Sequence, residues 1–252
     1  MKILLSPAKS LDYTRSFQKP FTSIPLFTKE SKALIDLLRT YSDADIAKLM
    51  SLSPSLASIN SERFKQWSQA TTEDEYHKSC IEVFNGEAYK GLAGIDFSKE
   101  TFLTAQSSLR ILSGLYGILK PLDLIAPYRL EMGTKLHLNP SITSLYAFWG
   151  TKITDFLNKE EEESIVNLAS IEYFKVIQTS KLKADIITPV FKELKNGQAK
   201  TIMMYAKHAR GAMASFILNN KLNAAEEIKN YSQDNYSFDE HLSSEKEWVF
   251  VR

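Results

Sequence analysis

The chain has 252 residues, 44% hydrophobic and 24% charged, and 31 lysines and arginines against 30 aspartates and glutamates leave a formal net charge of +1. That composition supplies a core for one large domain and excludes a broadly basic nucleic-acid-binding chain, so a polyanion site requires cations sorted onto one face. A lone cysteine, Cys80, excludes an internal disulfide and a Cys-rich metal centre, and the four histidines (His77, His137, His208, His241) offer no pair at helical ligand spacing. The N-terminus, MKILLSPAKSLDY, has too short an apolar run for a signal peptide, and no run approaches membrane-spanning length. The expectation is a cytoplasmic protein with no metal, no cofactor and no membrane partner.

In chain order, residues 2–5 read as a short buried strand stopped by Ser6-Pro7-Ala8-Lys9, and 14–25 as irregular. Leu34, Leu37, Leu38 and Tyr41 keep helical spacing. Ser42 and Asp43 offer caps for a helix over 44–50, and Pro54 suits the first turn of another after Ser51-Leu52-Ser53. Leu56, Ile59 and Phe64 are its expected inward face, and Trp67 closes a helical module over 28–70. Residues 81–84 fit strand or helix equally, and Asn85-Gly86 is a turn signal. A helix over 102–109 leads into a strand over 110–119 that opens into a long loop. The spacing of Tyr146, Trp149, Ile153 and Phe156 predicts one helix over 145–157, and Glu160 to Glu163 reads as a solvated helix end or loop. A strand over 165–169 follows, with Ser170 capping a turn through Tyr173 and Phe174. Apolar segments at 185–194 and 200–206 join through Lys195-Asn196-Gly197-Gln198, a strong hairpin signal. A helix over 209–218 turns Met213, Phe216 and Ile217 inward, and after an acidic, weakly patterned tail Trp248 to Val251 close the chain as a strand. Strands separated by helices predict a single mixed α/β or α+β domain over 1–252. Its sheet is expected to be mostly antiparallel or mixed and flanked by helices, with 28–70 as a helix-hairpin-helix-like module.

Four constellations carry chemistry. In the 43–67 module, a tight hairpin followed by a helix N-terminus can present amides to a phosphate, with Arg63 and Lys65 beside it. Ser51 and Ser53 stand where such hairpins use glycine, and the plain alternative is a helical hairpin capped by Ser53. In LSGLYGILKPLDLIAPYRLEMG, residues 112–133, Gly114 and Gly117 permit close backbone approach, and Lys120, Arg129 and Lys135 bring positive charge to the loop and its end. Arg129 and Glu131, two residues apart, share a face of an extended segment, either to orient the guanidinium toward an anion or to tie the loop to the core. In YAKHARG, residues 205–211, a strand is expected to end and a helix to begin, so that Lys207, Arg210 and the helix N-terminus converge and Gly211 admits a ligand. In SPAKSLDY, Lys9 and Asp12 could pair as catalytic groups or as a local ion pair. There is no G-x-G-x-x-G, no Walker loop and no G-x-S-x-G elbow.

Taken together, LLSPAKSLDY (4–13), LMSLSPSLASINSERF (49–64), YKGL (89–92), LSGLYGILKPLDLIAPYRLEMGTKL (112–136), LYAFWGTKIT (145–154), IVNLASIEYFKVI (165–177), ADIITPVFKELKNG (184–197) and YAKHARGAMASFI (205–217) resemble the YaaA family of peroxide-stress proteins over nearly the whole chain. The resemblance implies a cytosolic protein of the hydrogen peroxide response, associated with limiting free iron and oxidative DNA damage. It also implies DNA binding through a helix-hairpin-helix and a positively charged cleft. Carried over, the hairpin maps onto 50–60, with Ser51, Ser53, Ser55, Arg63 and Lys65, and the cleft draws on Lys9, Lys120, Arg129, Lys135, Lys207 and Arg210. His208 stands where the family has lysine, and Lys120 where it has arginine. With one cysteine and dispersed histidines, any effect on iron is expected to be indirect. The partner so implied is duplex or structured DNA held by its phosphates. The alternative is an enzyme acting on a nucleotide, nucleobase or phosphorylated small molecule in the same cleft, with Asp12 or Glu131 as acid or base. A third possibility is a protein-binding module that uses the acidic tail.

Overall fold

The computed structural model describes residues 1–93 and 98–252. Its strands are Lys2–Leu5 (β1), Ser10–Leu11 (β2), Lys78–Ser79 (β3), Phe84–Asn85 (β4), Leu109–Ser113 (β5), Gly117–Leu119 (β6), Leu124–Ile125 (β7), Ser164–Leu168 (β8), Asp185–Lys195 (β9), Gln198–Lys200 (β10), Ser237–Asp239 (β11) and Glu247–Val251 (β12). Its α-helices are Thr28–Leu38 (α1), Asp43–Met50 (α2), Pro54–Gln66 (α3), Cys80–Val83 (α4), Glu87–Leu92 (α5), Lys99–Ser108 (α6), Leu145–Trp149 (α7), Lys152–Lys159 (α8), Ile171–Phe174 (α9) and Met203–Asn219 (α10). No helix among the described residues is long and apolar enough to cross a membrane.

β1 and β5 are buried along their whole length, as strands covered on both faces must be, and the charges they carry there, Lys2 and Arg110, are paired with Glu162 and Glu160. β1 pairs in parallel with β5 on one side and β8 on the other; β8 pairs in parallel with β9, and β9 with β12. Antiparallel strands are added at the margins: β6 on β5, β10 on β9, β11 on β12. The expected mostly antiparallel or mixed sheet is therefore an eight-stranded mixed sheet with a parallel centre. Ranked along the chain, its five parallel strands stand in the order 2-1-3-4-5. In open α/β sheets of that order, connections leave the first and third strands in opposite directions and open a crevice at their carboxyl ends.

The apolar patterns gave several elements whose ends the structure moves. The strand expected over 110–119 is a β5–β6 hairpin, turned at Gly114-Leu115-Tyr116. Gly117 has φ +71, and a Cβ there would stand 2.7 Å from the Trp149 ring. The helix expected over 145–157 is two, because Gly150 takes φ +51 between α7 and α8. Residues 80–83 form one helical turn before the two-residue strand β4, and Gly86 caps α5 rather than closing a hairpin. The segment expected as a second apolar strand after Asn196-Gly197 is the short β10, and α10 starts at Met203. Ser170 precedes α9, with no side-chain cap bond. The acidic run Glu160 to Glu163 is not merely solvated: Glu160 accepts from the Nε and Nη2 of buried Arg110, and Glu162 accepts from Lys2 (2.8 Å) and the N-terminal ammonium. A desolvated guanidinium needs such a partner.

The helical module follows its capping signals. Ser42 and Asp45 form a capping box at the start of α2, and Ser53 Oγ accepts from Leu56 N at 3.4 Å at the start of α3. The inward stripe of α3 is Ala57, Asn60, Ser61 and Phe64, while Leu56 and Ile59 are 41% and 49% exposed. Asn60 tolerates burial because its amide donates to Leu56 O (2.7 Å). Arg39 then takes the carbonyls of Phe64, Lys65 and Trp67, fixing the end of α3 against the end of α1.

Two stability outcomes follow. α10 crosses α5 so closely that a Cβ on Gly211 would lie 1.7 Å from Ala88 O, so Gly211→Ala should cost about 3 kcal/mol or prevent folding, read by thermal denaturation. Ser51 ends α2 in the left-handed region at φ 53, ψ 50, so Ser51→Gly should raise stability by about 1 kcal/mol in urea unfolding.

Candidate functional site

The strand order places the candidate ligand edge where β1 and β8 end. Ser170 N donates to Ser6 Oγ at 2.8 Å, and the two hydroxyl oxygens stand 3.3 Å apart. Lys9 follows on the loop leaving β1. The 126–133 segment is laid over the carboxyl end of β5: a Cβ at Gly114 would lie 2.3 Å from Leu130 O, and Ser113 Oγ and Tyr128 Oη are 2.7 Å apart. On its other side the segment meets the helical module. Tyr116 Oη accepts from Ala126 N (3.1 Å) and from Trp67 Nε1 (2.9 Å).

Lys9, Arg129 and Glu131 are thereby gathered, and Arg63 lies near Arg129. Arg129 Nη2 donates to Glu131 Oε1 at 3.1 Å, and Lys9 Nζ lies 2.5 Å from Glu131 Oε2. The Arg129 and Glu131 side chains are about four-fifths buried while Lys9 is more than half exposed, so the lysine forms the rim and the guanidinium the floor. Arg129 Nε is buried without a hydrogen-bond partner. Arg63 is half-buried at the end of α3, donating to Asn60 Oδ1 at 3.3 Å. Burial depresses the proton affinity of Arg63 and the nearby Arg129 charge adds to this, while the Tyr13 and Tyr76 hydroxyls oppose it. Tyr13 Oη donates to Ile125 O (2.8 Å), and burial pushes its pKa well up, so it stays neutral. Glu172, on α9, accepts from Gly133 N at 3.0 Å.

The remaining candidates fall in different places. Asp12 does not face Lys9: its carboxylate accepts from Thr14 Oγ1 (2.6 Å) and Thr14 N (3.0 Å), hydrogen bonds that hold its pKa below the usual range. Ser51, Ser53 and Ser55 are exposed at the α2–α3 turn, and Lys65 is exposed at the far end of α3. The structure holds two helices and a tight turn there, with Ser51 and Ser53 as caps. Lys120 lies at the opposite edge of the sheet. It follows β6, whose last residue pairs with Ile111, and lines a separate cavity with Ser23, Gln106, Arg110 and Asp123. Lys135 is exposed two residues beyond Gly133.

YAKHARG is not a strand-to-helix junction, since the whole segment lies within α10 and exposes no helix-start amides at Lys207 or Arg210. Gly211 admits α5, not a ligand. Arg210 is half-buried with no carboxylate partner among the described residues, and burial lowers its proton affinity. Its helix packs on α5, where the Lys90 hydrogen bond holds the Glu87 carboxyl below the usual range and His208 and Lys207 lie close enough to add to this. His208 lies 3.6 Å from Asp234. Among the described residues no group of three or more His, Cys, Asp or Glu could hold a metal ion. The sequence reading missed the anchors Tyr116 and Trp67 and the Ser6–Ser170 contact. It placed Arg63 beside the hairpin; only the docking of α3 carries it to Arg129.

The class defined is an α/β protein with a parallel sheet core, at whose carboxyl edge Lys9 and Arg129 share Glu131. The model of the family described as peroxide stress protein YaaA matches residues 1–242, and the chain belongs to that family. Similar relatives, each named UPF0246 protein, occur in Aliivibrio fischeri strain MJ11 (49% identical) and Janthinobacterium sp. strain Marseille (48%), both over the whole of this chain and 98% of theirs. A further relative in Clostridium beijerinckii is 43% identical over the same shares.

Glu131→Gln leaves Lys9 and Arg129 without their carboxylate. It should lower stability by about 1–2 kcal/mol in plain buffer and steepen the rise in melting temperature on adding inorganic phosphate. A melting temperature that responds to phosphate as in the parent would count against an anion site here.

Proposed function

We propose that this chain is a DNA-binding protein of the peroxide response that holds DNA by its phosphates, along a surface from the α2–α3 turn to the crevice. The observation that carries the reading is the sharing of Glu131 by Lys9 and Arg129 at the sheet edge, with Arg63 of the helical module brought near Arg129. Ser53 and Arg63 are ten residues apart on and before one helix, about 15 Å along its axis, a span of about four phosphate steps along the axis of a DNA strand. Exposed Lys65, Lys135 and Lys207 add screening-sensitive attraction at the margins, and Arg210 a partly desolvated charge. Phosphate contacts of this kind give affinity and register without base specificity. In the peroxide response such binding would shield DNA, and free iron would fall only indirectly.

The test is retention of duplex DNA across a salt series. The logarithm of the association constant should fall with the logarithm of salt by about 0.9 for each phosphate neutralised. Replacing Arg63 and Arg129 together by glutamine should weaken binding about tenfold or more and flatten that slope. Salt-independent binding, or a double variant that binds as the parent does, would reject the assignment. Turnover of a nucleotide, abolished in Glu131→Gln with DNA affinity kept, would favour the enzymatic reading instead.

A further inference from the structure

A charge imbalance and an orphaned donor coincide in the crevice. Arg129 Nη2 is engaged with Glu131, but the Nε beside it is buried and unpartnered. Elsewhere the same edge of a guanidinium is filled: Arg110 directs both Nε and Nη2 at Glu160. An unpaired buried donor on a charged group is costly, and an acceptor oxygen reaching it removes that cost. Arg63 has the Asn60 amide oxygen at 3.3 Å and no carboxylate partner among the described residues. Glu131 is shared between Arg129 and Lys9, Glu172 is turned to the Gly133 amide, and Asp12 to Thr14. Glu131 thus serves both Lys9 and Arg129, while Arg63, near Arg129, has no carboxylate partner among the described residues, so positive charge is in excess.

Resting on the phosphate-binding reading above, we propose that the crevice receives a terminal phosphate monoester, carried by a nucleic-acid end or by a free mononucleotide, in preference to an internal phosphodiester. A monoester carries about −1.5 to −2 charges near neutral pH and three strong acceptor oxygens, whereas an internal phosphate carries a single charge. One oxygen takes Arg129 Nε, another the Arg63 guanidinium, and the third faces Lys9. Access gives the same ordering. Arg129 is four-fifths buried beneath the Lys9 rim, and a terminal phosphate trails chain on one side only, while an internal one must lead chain in and out. The exposed lysines remain for the flanking backbone, where a point charge suffices.

The full chain is tested with a 5′-phosphorylated linear duplex, the same duplex ending in 5′-hydroxyl groups, a closed circular duplex, and a deoxynucleoside 5′-monophosphate as competitor. The phosphorylated duplex should bind about tenfold more tightly than the hydroxyl one, the ratio that one added charge-assisted hydrogen bond gives. The monophosphate should compete and its parent nucleoside should not. Arg129→Lys keeps the charge but removes the Nε donor, and should bring the ratio close to one. Arg63→Gln should do the same from a separate element, with circular dichroism confirming the fold of both. Equal affinity for the two linear duplexes, with the circle retained as well, overturns the terminal-phosphate proposal and leaves DNA binding standing. Competition by the monophosphate with no retention of any DNA overturns the DNA reading and leaves phosphate recognition standing. Absence of binding by every probe overturns both.

Discussion

The Tyr116 hydroxyl joins the two halves of the crevice. It accepts from the Trp67 indole at the end of the helical module and from the Ala126 amide at the start of the loop carrying Arg129. Tyr116 is buried, so its oxygen needs partners, and both donors come from segments far apart in sequence. Arg39 strengthens the arrangement by taking three carbonyls at the end of α3, which sets the position of Arg63. That seam, together with the apolar residues of α1, α2 and α3 in the common core, holds Arg63 near Arg129.

The sheet order explains why the loop lies where it does. β1 and β8 stay paired through Leu5 and Leu168, and just beyond them Ser170 N donates to Ser6 Oγ, so the two loops that leave this edge start side by side. The 126–133 segment covers the neighbouring end of β5 only because Gly114 has no side chain to meet Leu130 O. Trp149 fixes the hairpin from the other side, donating to Gly114 O at 3.0 Å with its ring against Gly117. Apolar burial thus holds a polar edge in register, which is the physical reason for so hydrophobic a run around Arg129.

Much of the local structure was legible because it is governed by neighbours in sequence. Ser42, Ser53 and Pro54 marked the starts of α2 and α3, Asn196-Gly197 marked the β9–β10 turn, and the buried strands β1, β5, β8 and β12 read as apolar runs. The sheet's parallel pairing was not legible, since it depends on which runs become neighbours across more than a hundred residues. The inward face of α3 was misread for a related reason: tertiary docking buries Asn60 and Ser61 and leaves Leu56 and Ile59 outside, against the apolar pattern. The Arg129–Glu131 pair followed from spacing alone, whereas the sharing of Glu131 with Lys9, rather than Asp12 with Lys9, required the fold.

A chain with a net charge of +1 can still present a cationic edge if its carboxylates are committed elsewhere. Fully buried Glu82 takes Lys19 (2.7 Å) and the Phe17 amide (2.6 Å), Glu160 takes Arg110, Glu162 takes Lys2 and the N-terminus, and Glu193 takes Arg252 at 2.8 Å. Each of these cations is partly or wholly out of water, where an unpaired charge is far more costly than at the surface. Desolvation therefore decides which acids are available: those that neutralise the interior lie at or near buried cations and cannot also screen the crevice. Arg63 and Arg210, only half withdrawn from solvent, have no carboxylate partner among the described residues, since the interior's cations hold these acids.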